Sequence, residues 1–361
     1  MSIDLEGYLK SGTENILKGA VSISDFDIQQ SMFMAGFVLA ARRASARREK
    51  YAASGEHIPP FLIASITSRC NLHCAGCYAR AVNSCSDREP VGQLRADEWK
   101  RIFDEARSMG MSFIILAGGE PMIRRDVIEA AGTVPEILFP IITNGTLIDD
   151  EYIRLFKKRR NLIPVISIEG GERITDKRRG KGTYAAIDRA MSQLRSSRII
   201  TGASVTVTKE NLNEVLSDAY AAELKEKGCS VMLFIEYVDV SGSSRLSIGG
   251  AERALMEERL NALRKKHSDM LFVAFPGDER RAGGCLAAGR GFFHINSQGG
   301  AEPCPFSPYS DVNIRDTSLR AALRSDLFRR LSGSGLLSGE HKGGCVLFER
   351  DDEVKELLSA Q

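Results

Sequence analysis

The stretch FLIASITSRCNLHCAGCYAR, residues 61–80, decides the fold. Its first seven residues, FLIASIT, form an apolar, β-branched run of the length of a buried strand. Cys70, Cys74 and Cys77 follow at spacings of four and three, with no fourth thiol to complete a local set. A closed tetrahedral zinc site takes four ligands, so a strand leading into three cysteines asks what the loop holds and why one position stays open.

Outward from this stretch, residues 61–238 alternate apolar runs with helix-patterned segments. The expected strands are FLIASIT (61–67), FIILA (113–117), LFPIIT (138–143), IPVISIE (163–169), ASVTVT (203–208) and VMLFIEYV (231–238). The segments between them, such as ADEWKRIFDEARSMG and TYAAIDRAMSQLRSS, carry apolar residues at helical spacing, and several open on Asp, Thr or Asn as N-caps. Strand starts 25 to 52 residues apart fit crossover connections and a parallel sheet. Six units are fewer than the eight of a closed barrel, so the fold class is α/β, a partial (βα)6 barrel. An N-terminal helical segment (1–58), a core barrel (59–240) and a small C-terminal α+β extension (241–361) make up the expected organisation.

The unusual residues fall at the ends of these strands. CNLHCAGC follows the first, GGEP (118–121) the second and TNG (143–145) ends the third; Ser167 and Glu169 end the fourth, Thr206 and Thr208 the fifth. In parallel α/β folds, loops at the carboxyl ends of strands build the site. Five consecutive strand ends with polar or glycine-rich sequence therefore converge on one mouth.

Composition narrows the partners. The chain has 361 residues, 43% hydrophobic and 27% charged, with 49 basic against 47 acidic residues and a net charge of +2. Such a balance gives no field for nucleic acid as the main partner. MSIDLEGYLKSG lacks the regions of a secretory signal peptide. The apolar run MFMAGFVLAA (32–41) is too short to cross a bilayer. Eight cysteines without a signal peptide point to a reducing, cytoplasmic setting, with thiols as metal ligands or buried residues.

Zinc would take His73 or Cys85 to complete the triplet. A [4Fe–4S] cube held by three thiolates leaves one iron free for a substrate or cofactor. The combination of CxxxCxxC after a first strand with GGEP, TNG and ISIEG resembles the radical S-adenosylmethionine (radical SAM) superfamily over roughly residues 60–240. The resemblance implies that Cys70, Cys74 and Cys77 hold the cluster. Its free iron then takes the amine and carboxylate of S-adenosylmethionine, and reductive cleavage yields a 5′-deoxyadenosyl radical. It assigns Gly118, Gly119 and Glu120 to the methionyl amine, Thr143 and Asn144 to the nucleoside side, and Ser167 and Glu169 to the ribose or carboxylate. TDKRRGKGTY matches the family's D-x-x-R-G element, making Arg179, with Arg178 second, the partner of the methionyl carboxylate. Tyr78 is expected near the adenine. A low-potential donor, ferredoxin or flavodoxin, is implied for the reduction, and oxygen sensitivity with it.

Beyond residue 240 the βα rhythm fades. FFHINSQGGAEP reads as a strand, a tight turn at Gly299–Gly300 and a returning strand that brings Cys285 towards Cys304. Cys345 follows a second glycine pair. The spacing resembles the SPASM/twitch extension of radical SAM proteins, which implies one auxiliary [4Fe–4S] cluster on Cys285, Cys304 and Cys345. Its fourth ligand stays open between a substrate atom, His341, Glu349, Asp351, Cys85 and Cys229.

IQQSMFMAGFVLAARRASARREKYAAS reads as one helix with an apolar first half and a basic second half. It either packs on the barrel or meets a membrane surface or acidic partner through Arg42, Arg43, Arg47, Arg48 and Lys50. Sixty mostly helical residues do not match a leader-peptide recognition module, which weighs against a ribosomal-peptide substrate. The function expected is hydrogen-atom abstraction from a peptide, lipid or small molecule. A non-catalytic iron–sulfur electron carrier or zinc-stabilised scaffold is the alternative, and intact GGEP argues against it.

Overall fold

The computed structural model describes residues 28–240, 242, 245–281, 283–338 and 345–359. Seven parallel strands stand side by side: β1 Phe61–Thr67, β2 Phe113–Gly118, β3 Phe139–Thr143, β4 Leu162–Ser167, β5 Thr201–Val207, β6 Cys229–Glu236 and β7 Leu271–Phe275. Each expected strand is present within a few residues of its expected bounds. A hairpin of β8 (His294–Ile295) and β9 (Ala301–Glu302) adds to the free edge of β1, with β8 parallel to β1. The sheet order is thus β7-β6-β5-β4-β3-β2-β1-β8-β9.

The partial barrel is as expected, but the sheet is longer. The helix Gly250–Lys266 and β7 form a further βα unit past residue 240. β7 pairs along β6 from Val231↔Leu271 to Ile235↔Phe275. The reading missed it because LFVAF is only five residues long and lies among polar, glycine-rich segments.

Alternation along each strand sorts side chains onto two faces. Leu62, Ala64 and Ile66 of β1 face outward into a core completed by Trp99, Ile102 and Phe103 of the helix Ala96–Met109, all fully buried. The inner face is apolar at its amino-terminal half, where Phe61, Ile115, Val165, Leu233 and Val273 line an open apolar cavity. Phe292, in front of β8, meets both Phe61 (centroids 5.1 Å apart) and Phe275 (6.5 Å), and so bridges the gap between β1 and β7.

The expected amino-terminal helix spans Ile28–Ala53. Met34 and Phe37 turn into the floor of the barrel against Leu138, Ile163, Val165 and Ile200. Arg48 binds the carbonyl of Gly110, so the helix is packed on the barrel as one of the two readings had it. Ile28, Met32 and Leu39 are its exposed apolar residues. Among the described residues no helix is long and apolar enough to cross a membrane.

The extension binds the same face of the barrel as the hairpin. Leu94 N–H donates to Ser297 O (2.7 Å), Arg101 to Ile314 O (2.7 Å), and Arg320 and Arg324 both pair with Glu56. The turn expected at Gly299–Gly300 is present: Gly299 has φ +96°, and a Cβ there would lie 2.6 Å from Asn313 Oδ1.

Candidate functional site

The cysteine loop is fixed from several sides. Segment 85–86 runs alongside 68–70, with Ser86 N–H donating to Ser68 O (2.8 Å) and Cys70 N–H to Ser86 O (3.1 Å). Arg80 donates to Leu72 O through Nε (3.1 Å) and Nη2 (2.7 Å) and pairs with Asp87. Ala75 N–H donates to Arg178 O at 2.7 Å. Gly76, at φ +67°, lies so close to the Tyr237 ring that a Cβ would fall 2.7 Å from it. The loop is thereby held over the carboxyl end of β6. His73, the zinc candidate within the triplet, is exposed and faces Asp87 at 3.2 Å.

GGEP has a structural reason as well as the one expected. Gly119 N–H donates to Thr67 O and Glu120 N–H to Arg69 O, both at 2.8 Å, so the end of β2 grips the start of the cysteine loop. A Cβ on Gly118 would stand 2.2 Å from Thr67 O, and one on Gly119 2.2 Å from Arg69 O. The close approach these glycines permit is therefore, first, to the chain's own loop.

Glu120 is buried and accepts from Met122 N–H (3.0 Å), Thr143 Oγ1 (2.6 Å) and Asn144 N–H (2.7 Å). Burial pushes its carboxyl up to about 7, against those three donors. Thr143 thus serves Glu120, while Asn144 donates to Asn71 Oδ1 (2.8 Å) and accepts from the Thr146 amide (3.0 Å). The TNG turn positions the cysteine loop through Asn71. Sequence reasoning missed both couplings, because the partners lie 23 and 73 residues apart.

Glu169 and Arg179, assigned separately from sequence, are joined. Arg179 donates through Nε (2.9 Å) and Nη2 (2.5 Å) to Glu169 Oε1, which also takes Arg178 Nη1 (2.5 Å); Thr206 N–H reaches Oε2 (3.2 Å). Glu169 is fully buried; burial would raise its pKa, but the two guanidiniums outweigh that and hold it below the usual range. Arg179 Nη1 is left facing Cys74 Sγ at 3.9 Å. Nε of Arg178 is buried with no partner among the described residues. Ser167 is buried at the end of β4 on the same rim.

The thiols differ in environment. Cys70 is held down to about 6, chiefly by a hydrogen bond from the Cys85 thiol, with burial opposing and the Leu72 amide and Arg80 assisting. Cys74 is pushed up by burial, against Arg179 and Arg178. The three cysteines are half-buried, flanked by guanidinium groups suited to thiolates and to an added anion. Among the described residues no three His, Cys, Asp or Glu side chains close on a single metal ion. A cluster with one iron per thiolate suits three cysteines spread along a loop.

The C-terminal cysteines also meet. Ala288 N–H donates to Pro303 O (3.1 Å), bringing the turn after Cys285 against Cys304, whose sulfur hydrogen-bonds Cys345. Cys285 and Cys304 are buried and Cys345 half-buried. Tyr78 packs on Phe306 with ring centroids 4.5 Å apart and planes tilted by 47°, and Cys77, Cys304 and Cys85 all add to the rise that burial imposes on its hydroxyl. The tyrosine expected near adenine thus packs on the extension, between the two sets of sulfurs.

One polar constellation had no sequence signal. His294 Nδ1 lies 2.6 Å from Glu302 Oε2 and Nε2 lies 2.7 Å from Ser65 Oγ, 229 residues away in the chain. Of the fourth-ligand alternatives, Cys229 opens β6 at the end of the sheet opposite the mouth and Cys85 bonds Cys70. Asp351 is taken by Tyr309 and Lys355 (both 2.7 Å). Glu349 is exposed, and His341 lies outside the described residues.

The sequence profile of the Radical SAM superfamily matches residues 64–220, from β1 to the helix after β5. The AdoMet-dependent heme synthase of Methanosarcina barkeri is 29% identical over 309 residues, covering 78% of this chain and 87% of its own. The subtilosin biosynthesis protein AlbA of Bacillus subtilis is 25% identical over 276 residues, covering 74% and 60%. Among solved structures, SuiB of Streptococcus suis bound to S-adenosylmethionine matches with a TM-score of 0.67 at 17% identity, over 91% of this chain and 81% of its own. The strand-end constellation and these matches agree over the barrel: residues 64–220 match the Radical SAM superfamily.

Proposed function

We propose that this chain holds a [4Fe–4S] cluster on Cys70, Cys74 and Cys77, binds S-adenosylmethionine at the cluster's open position, and oxidises a C–H bond of a large organic substrate. The observation that carries this reading is the half-buried cysteine loop clamped over five polar strand ends, with Arg179 Nη1 aimed at the sulfur of Cys74. When bound, cluster and S-adenosylmethionine supply one-electron reductive cleavage to methionine and a 5′-deoxyadenosyl radical that takes a hydrogen atom from substrate.

The chain's own residues bind and orient. Arg179 commits Nε and Nη2 to Glu169, which fixes the guanidinium plane and leaves Nη1 to hold the methionyl carboxylate beside Cys74. Arg178, with its unpartnered Nε, is the second donor. The Gly118–Glu120 turn would hold the methionyl amine, and Asn144 and Ser167 would border the nucleoside. Tyr78, packed on Phe306, separates this mouth from the extension and helps to keep water out. Cys285, Cys304 and Cys345 would hold a second cluster, which would supply a one-electron acceptor close to the substrate. A ferredoxin- or flavodoxin-type donor supplies the reducing electron.

For the substrate, a heme-related macrocycle is favoured, because the heme synthase relative aligns over most of both chains. The bacteriocin relative makes peptide the second class to try. Anaerobically reconstituted protein should hold roughly eight iron per chain if both clusters form. Reduced, it should release 5′-deoxyadenosine from S-adenosylmethionine, faster with an iron coproporphyrin present. Release equal to that of Cys74→Ala would sink the enzyme reading. Release that coproporphyrin leaves unchanged would sink only the substrate class.

A further inference from the structure

We propose that Ser65, with His294 and Glu302 behind it, holds a carboxylate of the substrate inside the barrel. The inference deepens the reading of a heme-related macrocycle, whose ring carries carboxylate side chains, and rests on it. Three adjacent strands set the residues in one row. Phe61 and Ser65 are four apart on β1 and share its inner face, whereas Leu62, Ala64 and Ile66 turn into the outer core. His294 of β8 pairs with Ile63 of β1 and with Glu302 of β9, and partners in register point to the same side. The row therefore lies on the inner wall. Ser65 stands two residues before the last of β1, or roughly 7 Å along the strand from the end that carries the cysteine loop.

Hydrogen bonding within the row leaves one group free. Glu302 is 4% exposed, and its two oxygens take His294 Nδ1 and Asn296 Nδ2, each at 2.6 Å. Asn296 is set in turn by the amides of Gln298 (3.0 Å) and Gly300 (2.9 Å), which donate to its Oδ1. An ionised carboxylate only accepts, so Nδ1 carries a proton and His294, also 4% exposed, has Nε2 left for Ser65 Oγ at 2.7 Å. Ser65 Oγ is half-buried on the lumen side, with no other partner among the described residues. Beside a neutral imidazole the hydroxyl donates to Nε2; beside an imidazolium Nε2–H donates to Oγ, and the hydroxyl proton turns to the lumen. An anion in the lumen favours the second arrangement, and Glu302 balances the charge on His294. Nearer the floor the wall is apolar at Ile115, Val165, Leu233 and Val273, where an unpaired carboxylate would be costly to bury. The body of a macrocycle meets that hydrocarbon, and a carboxylate at the level of Ser65 meets a hydroxyl backed by a cation.

The test uses the full chain, reconstituted anaerobically, and titrates iron coproporphyrin III and its methyl ester by absorption. The parent should bind the acid more tightly than the ester. Ser65→Ala should weaken binding of the acid about ten- to hundredfold and leave the ester nearly unchanged, at the parent's iron content. Ser65→Thr keeps the hydroxyl and should restore the acid. His294→Gln and Glu302→Gln act through Ser65 and should weaken the acid selectively; if either loses iron, the two Ser65 variants decide. In turnover, Ser65→Ala should raise KM for iron coproporphyrin III more than it lowers kcat. A parent that binds acid and ester alike, an acid-to-ester ratio in Ser65→Ala equal to the parent's, or an equal loss of both ligands would overturn the assignment. A parent that binds neither would instead overturn the macrocycle reading, and the assignment with it.

Discussion

Gly119→Ala separates two reasons for the glycines of GGEP. Gly119 has no left-handed φ, so alanine can adopt its backbone and the whole effect is steric. An ideal Cβ would sit 2.2 Å from Arg69 O, 2.5 Å from Arg69 C and 3.0 Å from Cys70 N. Restoring ordinary contact needs roughly 1 Å of separation between the β2 end and the cysteine loop. That opening would stretch the 2.8 Å bonds from Gly119 N–H and Glu120 N–H beyond hydrogen-bonding range. Overpacking of this kind costs about 1–3 kcal/mol, and each lost backbone bond about 1 kcal/mol. Alanine stabilises by roughly 0.5 kcal/mol through the unfolded chain. The net loss is about 2.5–4.5 kcal/mol, a drop of roughly 1 M in the urea midpoint at an m-value near 3 kcal/mol/M. The cluster-free protein should show this drop. Reconstituted Gly119→Ala should also lose iron at the first site, since Cys70 follows Arg69. Gly36→Ala is the control: nothing lies within 4 Å of its Cβ on the helix Ile28–Ala53, and it should stabilise by about 0.5–1 kcal/mol. A cluster-free Gly119→Ala with the parent midpoint, impaired only in binding S-adenosylmethionine, would refute the steric account.

Three further outcomes are expected. Glu169→Gln leaves two guanidiniums of 10% and 15% side-chain exposure without their anion, and should cost about 3 kcal/mol in urea denaturation of the cluster-free protein; an unchanged midpoint would contradict the pairing. Hydrogen bonds from Arg320 lead in holding the Glu56 carboxyl down to about 2 from an ordinary 4.5, with Arg324 assisting. A lowered carboxyl stabilises above the unfolded pKa and loses that contribution as pH falls from about 4.5 towards 2, so Glu56→Gln should flatten the acid limb of the stability curve there. Cys229→Ala should keep the full iron content, because Cys229 is buried at the end of β6 away from both sulfur sets; lost iron would return it to the ligands.

The strands from β1 to β6 were legible because parallel strands buried on both faces read as apolar runs, and their polar residues collect at the carboxyl ends. Cys70, Cys74, Cys77, GGEP and TNG were legible for the same reason, each being local in sequence. What the residues do to one another was not. Thr143 and Asn144 donate to Glu120, Glu169 joins Arg178 and Arg179, and Ser65 meets His294 across 229 residues, all pairings set by strand register and loop packing. β7 escaped because five apolar residues after a weakly patterned helix carry little periodic signal.

The central claim is that the three-cysteine loop leaves an iron open for the methionyl amine. S-adenosylmethionine labelled with ¹⁵N at that amine, bound to the reduced cluster in a variant lacking Cys285, Cys304 and Cys345, tests it directly. A ¹⁵N hyperfine coupling is expected on the cluster's EPR signal, absent from unlabelled samples and from Cys74→Ala. A reduced cluster whose signal shows no such coupling with the labelled cofactor saturating would contradict it.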